Sequence, residues 1–101
     1  MHGTNKYQAR ESRAIVRDVL VREWDPIGVN GIPGAEDEYD SYVGKIYLML
    51  IDERASRDAI LKYLLDVAIN HMGLSPHEFI TQRSTRTADL LLSLRPQFET
   101  H

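Results

Sequence analysis

Residues 22–42 read REWDPIGVNGIPGAEDEYDSY: a tryptophan, a bend rich in proline and glycine, then an acidic stretch carrying two tyrosines. The fold turns on this stretch, because the chain on either side of it carries apolar residues at helical spacing. Pro26 disfavours helical geometry in the residue before it, so a helix arriving from the N-terminal side must end at Asp25. Asp25-Pro26-Ile27-Gly28 has the composition of a type I turn, with Asp first, Pro second and Gly fourth. Asn30-Gly31 and Pro33-Gly34 add two more bend signals. The resulting connection of about eleven residues is longer than the usual link between helices, and such loops often carry function.

Upstream, over residues 5–24, Ile15, Val16, Val19, Leu20 and Trp24 recur at helical spacing, while Arg10, Arg13 and Arg17 share another side. Asp18 and Arg22 are four apart and can pair on that surface for a few tenths of a kcal/mol. The basic stripe reads as a solvated face, because no aromatic residues interleave it.

Downstream, a second helix is predicted from Ala35 or Glu36 to about Asp52, with Tyr39, Tyr42, Val43, Ile46, Tyr47 and Leu50 as its inward stripe. Gly44 lies inside it at a cost of roughly 1 kcal/mol against alanine, which marks a close helix-helix approach in preference to a hinge. Ser56 is a good N-cap for a third helix, with Asp58 in its first turn. That helix carries Ile60, Leu61, Tyr63, Leu64, Leu65, Val67, Ala68, Ile69 and Met72, an apolar arc broad enough for two neighbours. Gly73 stops it, and His71 suits the negative end of its dipole. Ser75-Pro76-His77-Glu78 is a capping box that opens a fourth helix, with Leu74 stapled onto Phe79. This helix runs along Ile80, Thr87, Ala88, Leu91 and Leu94 until Arg95-Pro96 ends it. The expectation is therefore a single all-α domain over residues 1–101, a small antiparallel four-helix bundle with a long loop between helices 1 and 2, and flexible ends at 1–8 and 97–101.

Composition narrows the classes of function. A chain of 101 residues supports one core, and 43% apolar with 27% charged residues is ordinary for a globular domain. A net charge of -3 gives no general attraction to nucleic acid or to an anionic membrane. With no cysteine, disulfides, cysteine-rich zinc sites and thiol nucleophiles are excluded together. The opening MHGTNKYQARES lacks the apolar core of a signal peptide, and no stretch approaches the roughly 18 to 20 apolar residues needed to span a bilayer. The default location is cytoplasmic.

The acidic run Glu36-Asp37-Glu38-Tyr39-Asp40 is the most suggestive cluster, and three readings of it compete. Carboxylates at a helix start complement its dipole. A surface rich in acid and aromatic groups can dock a cationic partner. Paired carboxylates can also hold a divalent metal, but di-iron bundles need Glu-x-x-His pairs that are absent here, and on helix three Asp58 and Asp66 lie too far apart to share a site. Gly28, Gly31 and Gly34 do not make a phosphate loop, because no Lys-Ser/Thr follows and no strand precedes. Nor is there a G-x-S-x-G elbow, and capping accounts for Ser75. No catalytic residue, metal ligand or cofactor is assigned. Trp24 reads either as a lid over the bundle end, against Ile27, Tyr39 or Tyr42, or as an exposed anchor for a partner.

Trp24-Asp25-Pro26-Ile27-Gly28 followed by Asp37-Glu38-Tyr39-Asp40, with Ser41-Tyr42-Val43 continuing the match, resembles small bacterial all-helical proteins of unknown function. The resemblance implies a compact helical fold. Through members that look like small proteins encoded beside toxin systems, it also implies an immunity or antitoxin-like role. From the residues, the expected function is a non-enzymatic protein-interaction module. Its contacts would be Trp24, Asp25, Asp37, Glu38, Tyr39, Asp40 and Tyr42, its turn would be shaped by Pro26, Ile27 and Gly28, and its partner would be a protein, a basic one suiting the acidic run. The alternatives are a small-molecule- or metal-dependent enzyme with its site between the bend and helix 2, and a homo-oligomer built on the arc of helix 3.

Overall fold

A computed structural model describes residues 6–35 and 37–99, with side chains from Ala9 onward. Among these the chain forms four helices and no strand. α1 spans Lys6–Val19 and continues into a wide π turn at Leu20–Trp24; α2 spans Asp40–Ile51. α3 spans Arg57–Asp66 and likewise widens at Val67–His71, and α4 spans Glu78–Glu99. The predicted cap of α3 is present, since Ala59 N–H donates to Ser56 Oγ at 3.1 Å. Gly73, at φ +74°, takes the left-handed conformation beyond its end.

α4 packs on α1, α2 and α3, and α1 also packs on α2. Val16 and Leu20 of α1, Val43, Ile46 and Leu50 of α2, Ile60 and Leu64 of α3, and Ala88 and Leu91 of α4 form one buried core. These positions follow the predicted stripes, because burial on a helix is periodic and so is the apolar pattern that drives it. The radius of gyration, 13.4 Å, is close to the roughly 13 Å expected of a folded chain of about 100 residues.

Three expected helix bounds and one expected close approach differ in the structure. α2 starts at Asp40, not at Ala35 or Glu36, and Glu36 itself lies outside the described residues. In place of helix, Glu38 N–H donates to Ala35 O, Asp40 N–H to Asp37 O and Tyr42 N–H to Tyr39 O, a run of tight turns. The reason is tertiary: these turns bury Tyr39 completely beneath the bend, where its hydroxyl finds partners.

Gly44 does not mark a close approach. A Cβ built there meets nothing within 4 Å outside its own helix backbone.

α4 begins at Glu78, and His77 takes the capping position expected of Ser75. Phe79 N–H donates to His77 Nδ1 at 3.0 Å, and Thr81 N–H donates to His77 O at 3.0 Å. Phe79 is 54% exposed, with the Arg83 guanidinium over its ring at 4.9 Å, so the ring lies largely open to solvent.

Finally, α4 runs through Pro96 to Glu99, so Gln97, Phe98 and Glu99 are helical rather than tail. Contacts on both sides of the proline hold it. Arg95 Nε donates to Leu50 O at 2.6 Å and its Nη2 to Ala55 O at 2.7 Å, while Phe98 is buried at 6.1 Å from Tyr47. α1 opens at Lys6, beside the start expected near residue 5; residues 1–5, 100 and 101 lie outside the described residues.

Candidate functional site at the bend

The bend is organised by Asp25. The π turn ends on Asp25, whose N–H donates to Leu20 O at 2.8 Å and whose backbone is left-handed, at φ 38°. Aspartate is among the few residues other than glycine that visit this region readily. The expected turn follows, with Gly28 N–H donating to Asp25 O at 3.2 Å. The carboxylate then folds back over the loop. Its Oδ1 accepts from Val29 N–H at 2.6 Å and from the Tyr39 hydroxyl at 2.8 Å, and its Oδ2 accepts from Asn30 N–H at 3.2 Å. One side chain thus satisfies donors from both ends of the loop, which would otherwise cost about 1–3 kcal/mol each if buried unpaired.

Tyr39 is the second half of this device. Its hydroxyl accepts from Ile27 N–H at 3.3 Å while donating to Asp25. Burial, reinforced by Asp25, raises its pKa well above the ordinary tyrosine value. Its ring lies 5.5 Å from that of Trp24, and Tyr42 meets the same indole edge-on at 6.4 Å. Trp24 is 1% exposed, its indole N–H donates to Ser84 Oγ at 3.1 Å, and Arg83 Nη1 donates to its carbonyl at 3.3 Å. Of its two sequence readings the buried one, packed on Tyr39 and Tyr42, fits, and neither Trp24 nor Tyr39 has surface to offer a partner.

The acidic residues divide. Asp37 and Glu38 are exposed on the turns around Tyr39, and the charge of Asp37 also acts on Arg17. Asp40 is committed elsewhere: Arg17 Nε and Nη2 grip its two oxygens at 2.7 and 2.6 Å. That hydrogen bonding raises the Arg17 pKa above its ordinary value. Asp40 also lines a groove with Arg10, Arg13, Ala14, Arg17 and Val43, so its surroundings are basic rather than acidic. Pro26 is half-buried, and Ile27 and Gly28 are exposed at the turn.

Sequence reasoning missed Arg17, Arg83 and Ser84. Ser84 could have been found, since it falls four after Ile80 and three before Thr87 on the inward face of α4. Nothing in a single chain pattern pairs Arg17 with Asp40, twenty-three residues away. Among the described residues, no group of three His, Asp or Glu side chains comes together in a way that could hold a metal ion. No described helix is long and apolar enough to cross a membrane. What the arrangement offers is a pair of exposed carboxylates on a turn braced from below. The chain matches no protein-family model, no curated protein and no solved structure.

Proposed function

We propose that this protein is a non-enzymatic interaction module that engages a basic protein partner through Asp37, Glu38 and the outer edge of Tyr42. In this reading Trp24, Asp25 and Tyr39 are the frame beneath the contact rather than contacts themselves. The observation that carries it is the division of the acidic run: Asp40 is neutralised by Arg17, while Asp37 and Glu38 stay exposed on tight turns set over buried aromatic rings. Pre-ordering an acidic turn in this way lowers the entropy lost when a cationic partner docks. The fold is read as an antiparallel four-helix bundle in which the long bend caps one end. The resemblance to small bacterial all-helical proteins adds an immunity or antitoxin-like role, and a cytoplasmic location is the default setting for it.

The test is affinity capture with wild-type protein and with an Asp37→Lys, Glu38→Lys variant, followed by direct titration of any captured protein. Both positions are exposed, so the variant keeps its fold. Loss of capture and a weakened titration support the reading; equal capture and equal affinity refute it.

A further inference from the structure

The apolar arc of α3 has two sides. Ile60, Leu64, Val67 and Ala68 are buried in the core, on the helix that packs against α4. Leu61, Leu65 and Ile69 succeed one another at four-residue intervals on another side and are only partly buried. With Asp58, Lys62 and Asp66 they line an open groove of about 690 Å³. Lys62 makes no ion pair among the described residues, although Asp58 and Asp66 stand one turn before and one turn after it. Asp58 lies instead by Arg57 at 3.6 Å, and Asp66 accepts from Asn70 at 2.7 Å.

We propose that this face docks a second copy of the chain, the two α3 helices lying antiparallel about a twofold axis near Leu65. The charge pattern selects this occupant. A twofold axis perpendicular to two antiparallel helices places each flank of one beside the same flank of the other. Within that flank the Lys62-Asp66 pair is therefore its own complement, with Lys62 of each copy within reach of Asp66 of the other. The apolar stripe is self-matching too: Leu65 meets Leu65 at the axis, and Leu61 lies level with Ile69. A parallel pairing would instead set this flank against the side of α3 that α4 already covers. The contact is one helix of about four turns, roughly 22 Å long at 1.5 Å per residue, so it belongs with the small interfaces under about 1,200 Å². The dimer is accordingly weak and concentration-dependent. It uses no residue of the acidic bend and does not rest on the function proposed there.

Sedimentation equilibrium of the full chain from about 10 μM to about 1 mM tests it. The wild type is expected to shift from monomer to dimer across that range. Lys62→Asp and Asp66→Lys place like charges across the axis, and each should weaken association at least about tenfold, a penalty of about 1.4 kcal/mol. Both residues are exposed, and circular dichroism confirms the fold of each variant. An equimolar mixture of the two single variants, and the double variant carrying both changes, should regain the wild-type affinity, because each restores opposite charges across the axis. A wild type that stays monomeric throughout overturns the proposal. So does a dimer that neither single variant weakens, or one weakened without recovery in the mixture.

Discussion

Asp25 shows how much of a loop one side chain can determine. Its left-handed backbone stops the widened end of α1, and its carboxylate binds two loop amides and the hydroxyl of Tyr39. Asp25→Ala removes an ionised acceptor and strands a partly buried amide and phenol, so a loss of about 2–4 kcal/mol is expected in urea denaturation. Asp25→Asn keeps one oxygen acceptor and tolerates the left-handed backbone, and should lose less than half of that. Tyr39 adds a pH dependence. Its folded pKa lies above the unfolded value of about 10 because the buried phenolate is disfavoured. The stability it contributes is therefore fully present below about pH 10 and is lost as the pH rises from there toward the folded value. Tyr39→Phe should flatten the alkaline fall in urea midpoints between about pH 9 and pH 11. It will not abolish the fall, since burial also raises the pKa of Tyr63.

At the scale of the elements, α2 and α4 are each shaped by something beyond their own sequence. Gly44 lies in α2 with open space where a Cβ would point, so the cost of glycine is not offset by packing. Gly44→Ala should raise stability by about 0.5–1 kcal/mol, read as a higher urea midpoint at unchanged slope. Arg95 closes the other end of α2 by donating to the carbonyls of Leu50, Met49 and Ala55. Arg95→Ala should cost about 2–3 kcal/mol, and Arg95→Lys should recover only part of it, because an ammonium cannot reproduce the planar fork. The same contact explains a limit of the sequence. The helical stripes of Ile60, Leu64, Val43 and Ile46 are legible because each records burial along its own helix. That α4 passes through Pro96 is not, because the groups that hold it lie on α2, Tyr47 among them, and on the link after it. In the same way the start of α2 at Asp40 depends on partners of Tyr39 that stand before it in the chain, at Asp25 and Ile27.

The whole molecule is joined at the bend. α1 ends there, α4 reaches it through Ser84 and Arg83, and α2 leaves it through Tyr39 and Tyr42. Of the candidate site, the sequence locates the stretch and its acidic outer turn, while the burial of Trp24 and Tyr39 emerges only from packing. Asp25 holds this bend as part of the folded core. Residue-resolved hydrogen exchange tests it most directly, at the amides of Ile27 and Val29, which donate to Tyr39 Oη and Asp25 Oδ1. Both should be protected in the wild type, and in Asp25→Ala they should lose protection together while Leu91 in α4 stays protected. Exchange of Val29 in the wild type at the rate of an unstructured peptide would contradict it.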